Sequence, residues 1–232
     1  MPRVADSGDD LPASEPDASW LASRWQALCT ALECPPQAAA DVWQLIEQHY
    51  CEPRRHYHNL AHVAALLRHA DAHCAHLSHA HVVELAIWFH DVIYDTQSGG
   101  NEVASAAVAS AAMQAMRVDA GIASQVERCI LATIHHAVTD KDVPDLPLFL
   151  DFDLAILGAP RDVYQQYRAA IRCEYEWVPE QDYRTGRAKV LRRFLDRPAL
   201  YFTPWMASRF EASARDNLRS ELLLLDPQFT SR

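Results

Sequence analysis

The run Leu85-Ala86-Ile87-Trp88-Phe89 closes an almost unbroken apolar stretch from Ala80 to Tyr94, and His90 and Asp91 come directly after it. A stretch of this length without turn residues reads as a core helix, and a helix that is apolar nearly all round has to be covered by other elements. An imidazole and a carboxylate at its end need something that makes their burial tolerable, since the desolvation cost is roughly several kcal/mol. A divalent cation is one such partner. The competing reading is a helix end at the surface, with the aspartate capping the next segment.

The rest of the chain supplies the covering elements. Glycine occurs only six times while alanine is abundant, a balance that favours helices over a turn-rich sheet protein. Amphipathic spacing predicts helices over Trp20–Leu32, Ala38–Tyr50, Asn59–Ala75 and Ala80–Tyr94. Asn101 is placed to cap one running to Met116, and another covers Asp119–Ile134. The acidic, proline-bearing segment Ala137–Leu146 reads as a loop. Beyond it, the short apolar run in "LFLDFDLAILG" carries Asp151 and Asp153 and ends at Gly158 and Pro160. Helices over Asp162–Trp177, Glu180–Leu195 and Pro204–Leu225 complete an all-α expectation with no sustained strand alternation and no internal repeat.

With 232 residues, half of them hydrophobic, the chain is long enough to bury one substantial core. The expectation is a polar, disordered leader over 1–18 and a single domain over 19–226. A formal net charge of −10 argues against a nucleic-acid backbone or an anionic membrane as a partner, though not against a small phosphorylated ligand. No run approaches the length of a membrane span. Six scattered cysteines without a C-x-x-C pair read as reduced thiols of a cytoplasmic protein. Self-association is left open.

Asp153 strengthens the cation reading, because an unpaired carboxylate in a second apolar run is expensive and a site with two histidines and two carboxylates needs a fourth ligand. His62, His90, Asp91 and Asp153 are therefore the candidate metal ligands. His58 lies four residues before His62 and is a candidate general acid, against the plainer role of a helix-start histidine. His135 and His136, in "TIHH", are candidates for a phosphate or a second metal, against a histidine favourably placed at a helix C-terminus. Arg55 and Arg172 are the favoured phosphate-binding arginines, while Arg168 and Arg187 are further available cations. Nine of the twelve histidines fall between His56 and His90. Among them His69, His73, His76, His79 and His81 read as solvated rather than ligating.

The order His62, His90-Asp91, Asp153 resembles the signature of the HD superfamily of metal-dependent phosphohydrolases. The segments "YHNLAHV", "AIWFHDVIYD", "NEVASA", "LDFDLAILG", "YRAAIRCEY" and "GRAKVLRRFL" extend the resemblance from about Trp20 to about Leu225. It implies an HD-type helical bundle that hydrolyses a phosphomonoester or phosphodiester, of a nucleotide or a small metabolite, by metal-activated water. The alternative is a metal- or nucleotide-binding sensor without turnover. Tyr57 to His62 is also similar to an element of the cyclic-nucleotide phosphodiesterases, which makes His58 the proton donor and His62 a ligand. The chain is shorter than those enzymes and lacks their purine-binding glutamine region. Glu102 then orients water or a ligand histidine, or is simply a first-turn glutamate. The implied cofactor is one divalent ion: Mn, Fe, Co, Ni or Zn, with Mg also compatible.

Overall fold

The computed structural model describes residues 18–138 and 140–226, so the expected leader lies outside the described residues apart from Ala18. It is an all-α bundle, with no strand among the described residues. The helices are α1 (Ala18–Ala31), α2 (Pro36–Tyr50), α3 (Leu60–Ala72), α4 (Ala80–Phe89), α5 (Asn101–Ala115), α6 (Ala120–Ala132), α7 (Leu146–Leu154), α8 (Arg161–Glu174), α9 (Glu180–Leu195) and α10 (Pro204–Leu225).

Helix α4 is the axis of the bundle. Every residue from Val82 to Phe89 is buried, and α3, α5, α6 and α7 all pack against it. On its other side Trp88 takes edge-on contacts from Trp25 of α1 and Trp43 of α2, with ring centroids 5.6 Å and 5.8 Å away. Such perpendicular aromatic pairs add about 0.5–1.5 kcal/mol each beyond their area burial.

The apolar pattern runs on to Tyr94, yet the helix stops at Phe89, and Arg55 accounts for the difference. The last carbonyls of a helix lack partners within it. The Arg55 side chain, almost fully buried, donates to the Asp91 carbonyl at 2.6 Å, the Val92 carbonyl at 2.8 Å and the His58 carbonyl at 3.1 Å. It thereby ties the turn after α4 to the turn before α3. With its ion pair to Glu52 the guanidinium is fully engaged by the protein, and the phosphate-binding role expected of Arg55 gives way to a structural one.

Two other helix starts also place site residues. The Asn59 side chain accepts from the Ala61 amide at 2.8 Å and caps α3, so His62 lies in the first turn while His58 stands outside the helix. Asn101 does not cap α5. Gly100 takes that position, and the Asn101 amide instead exchanges two hydrogen bonds with the Asp95 backbone, at 3.0 Å and 3.1 Å.

The segment with Asp151 and Asp153 is the helix α7, continued by a 3-10 turn over Ala155–Gly158 that packs on α10 and α8. A Cβ at Gly158 would lie 2.7 Å from that of Phe210, so only glycine allows this approach to α10. Asp151, fully buried, accepts from the amides of Phe202 at 2.7 Å and Thr203 at 2.8 Å and from the Thr203 hydroxyl at 2.5 Å. Its charge is spent on the entry to α10. His69 and His73, expected in solvent, are packed: His69 lies parallel to Phe152, and His73 stacks on Trp205 at 3.7 Å. No described helix is long and apolar enough to cross a membrane.

Candidate metal centre and adjoining cavity

The ends of α3, α4 and α7 converge on one point. His62 Nε2 lies 3.1 Å from His90 Nε2 and 3.3 Å from Asp153 Oδ1. His90 Nε2 is 3.7 Å from the same oxygen and 3.1 Å from Asp91 Oδ2, which is in turn 3.8 Å from His62 Nε2. His90 Nδ1 donates to the Ile87 carbonyl at 2.9 Å, which aims Nε2 inward. The ligating atoms of His62, His90 and Asp153 lie within 4.8 Å of one another and can hold a metal ion. Asp91 stands beside them as a fourth candidate.

The electrostatics call for positive charge at that point. Burial pushes His62 below the usual imidazole range. Burial works the same way on His90, but the adjacent Asp91 carboxylate outweighs it and raises the ring to about 9. Burial also disfavours ionised Asp91 and Asp153, and in both the neighbouring histidines win and hold the carboxyl well below the ordinary range. The two imidazoles and two carboxylates thus hold one another in place, in a cluster of which His62, His90 and Asp153 could take a metal ion.

His136 enters from the end of α6. Its backbone is left-handed, with φ of 44°, a conformation that a non-glycine residue holds only when its surroundings impose it. Here Arg197 imposes it, donating to the carbonyls of His135 at 2.6 Å and His136 at 3.0 Å. The His136 ring consequently reaches Asp153, with Nε2 2.8 Å from Oδ2. The pair "TIHH" is thus split: His136 turns in as a partner of a metal-ligand candidate, while His135 is exposed and contributes its carbonyl.

His58 is held by a group that sequence reasoning missed. Its Nδ1 lies 2.7 Å from Glu174 Oε2. Glu174 Oε1 accepts from the Tyr57 amide at 2.7 Å and the His58 amide at 2.9 Å. Burial raises the Glu174 carboxyl, but His58 and these amides bring it below the ordinary range. The His58 ring stacks on Tyr94 at 4.0 Å. Nothing in the spacing marks Glu174, which lies far along the chain at the end of α8; its place in "IRCEY" beside Arg172 is the only hint. Arg172 itself spans Glu180 and the Tyr175 and Val178 carbonyls, clamping the end of α8, and the structure does not bring it to the cavity.

A cavity of about 580 Å³ opens over this centre. His58, Asp91, Glu102, His136 and Asp153 are among the residues that line it, as are Tyr57, Tyr94, Tyr167, Tyr175 and Tyr183. Glu102 is both in the first turn of α5 and on the cavity wall. Arg187 also lines it, paired with Glu221 at 2.9 Å. Comparison of the chain with protein-family models, with curated proteins and with solved structures returns no match.

Proposed function

We propose that the protein hydrolyses a phosphoester, the activity that its resemblance to HD phosphohydrolases implies. The observation that carries the reading is that His58, paired with Glu174, lines the same cavity as Asp91 and Asp153, the two carboxylates that meet His62 and His90 behind it. His62, His90, Asp153 and Asp91 would hold one divalent ion, Mn, Fe, Co, Ni or Zn in preference to Ca, with Mg compatible. Such an ion supplies Lewis-acid polarisation of a phosphoryl oxygen and a water acidic enough to ionise near neutral pH.

The chain's own groups do the rest. Glu174 accepts from Nδ1–H of His58, which leaves Nε2 as the atom that delivers a proton to the leaving oxygen. Tyr94, stacked on the ring, and Glu174, bonded to both its side chain and its backbone, prevent the ring from turning away. His136 donates to the outer oxygen of Asp153 and fixes how that carboxylate faces the centre. Glu102, on the cavity wall, would orient water.

The test is elemental analysis of purified protein, then a panel of phosphomonoesters and phosphodiesters with each metal supplied. About one bound ion per chain and turnover of at least one ester class are expected. Stoichiometric metal with ligand binding and no turnover would replace the hydrolase by the sensor reading.

A further inference from the structure

Resting on that reading, we infer that the wall of the cavity formed by α9 is a subsite for a flat aromatic ring in the substrate's leaving group, with Arg193 as the cation that meets its phosphate end. Tyr183, Gly186, Arg187, Val190, Arg193 and Phe194 all line the cavity and recur at helical spacing, so they form one face of α9. From Tyr183 to Arg193 this face runs about 15 Å. The Arg193 end is the metal end, because the neighbouring Phe194 ring packs on His136, and His136 bonds Asp153. At the far end Tyr183 faces Tyr175, with ring centroids 6.3 Å apart.

Gly186 leaves open space on this face where an occupant could lie. It sits in the interior of a 16-residue helix, where glycine is the poorest former after proline. At Gly158 the fold itself needs the missing side chain, but a Cβ at Gly186 would meet nothing within 4 Å. The protein therefore has no packing reason for glycine there, whereas a ligand lying flat against the helix does. The surroundings bear on its chemistry, since Tyr57, Tyr94, Tyr167 and Tyr175 line the same cavity and offer π-faces for stacking. Of the two cavity arginines, Arg187 is neutralised by Glu221, while Arg193 is exposed and has no ion pair among the described residues. A guanidinium so placed matches a phosphate. The volume also exceeds what a phosphate alone would fill.

The experiment measures binding of 1-naphthyl phosphate and of inorganic phosphate to the manganese-loaded full chain by calorimetry, with thermal melting in parallel. The unmodified protein should bind the aryl ester at least about tenfold more tightly than phosphate. Gly186→Leu should weaken the aryl ester by about tenfold and leave phosphate within about twofold, while Arg193→Gln weakens both alike. Gly186→Ala should melt at a higher temperature than the unmodified chain. No preference for the aryl ester, unaltered aryl binding in Gly186→Leu, or a lowered melting temperature in Gly186→Ala overturns the inference. Binding does not require turnover, so aryl-ester binding with the expected Gly186 effect and no hydrolysis of any ester upholds the subsite and refutes the hydrolase reading. Hydrolysis confined to small alkyl phosphates does the reverse.

Discussion

His58 and Glu174 are 116 positions apart in the chain and meet at 2.7 Å, with the same carboxylate also accepting from the His58 amide. Replacing Glu174 by glutamine keeps an acceptor for the two amides and removes the charge opposite the ring. Glu174→Gln is expected to keep its metal and to lose about 10–100-fold in kcat on alkyl phosphates, with a smaller loss on nitrophenyl phosphate, whose leaving group departs without a proton. Steady-state kinetics on both substrates, with metal content measured alongside, separates this from a structural defect. Equal losses on both would remove Glu174 from proton transfer.

The four converging side chains and His58 should respond differently to deletion. His62→Ala, Asp91→Ala and Asp153→Ala should each purify with sharply reduced metal. His58→Ala should retain it while turnover on alkyl phosphates falls about 10²–10⁴-fold. Metal retained at the unmodified level in Asp91→Ala would reduce the ligand set to the three atoms that cluster most tightly.

His136 is predicted to tune the centre rather than complete it. The left-handed backbone at this position suits glycine, so His136→Gly relieves local strain of order 1 kcal/mol. It also strips Asp153 of its partner. Manganese affinity, read by calorimetry, should fall about 10–100-fold without vanishing. An unchanged affinity would mean that the bond to Asp153 has no bearing on metal binding.

Arg55→Met tests stability, not substrate binding. Four partners lose a buried cation, and the turn carrying Asp91 is released from the turn before α3. A destabilisation of about 3 kcal/mol is expected in urea titration. If instead KM rises tenfold with the unfolding midpoint unmoved, Arg55 is a substrate residue after all.

Stability should also fall in mild acid because of His69. Burial chiefly, with His73 and Arg209 adding to it, lowers this ring to about 4. The unfolded chain takes up its proton near the ordinary imidazole value of roughly 6.5, and the folded chain resists until pH is near 4. Protons therefore favour unfolding across that window, and the penalty grows as pH falls from about 6.5 toward 4, reaching on the order of 3 kcal/mol. Melting curves of His69→Leu should lack this part of the acid slope.

Legibility from sequence depended on whether the deciding interaction was local. The bounds of α9 and α10 match expectation because Pro179 and Pro204 mark their starts. The convergence of His62, His90, Asp91 and Asp153 was inferable from burial: each polar group sits in or beside an apolar run, so something had to gather them. The end of α4 was not inferable, since its stop comes from Arg55, 36 positions away from Asp91. Glu174 was hidden for the same reason, since its partner His58 lies 116 positions away.

Asp151 and Asp153 sit two positions apart on α7 and serve different parts of the fold: one grips the entry to α10, the other faces the histidines of the candidate metal site. Arg197, in the connection to α10, likewise sets the turn of His136. The candidate ligands are all synthesised by position 153, and Ile87 and Arg55, which hold His90 and the Asp91 turn, come earlier still; only the partners of Asp151 and of the His136 turn, at 197–203, come later. A chain that stopped before Arg197 would carry every candidate ligand and lack the contacts that set the entry to α10 and the turn of His136.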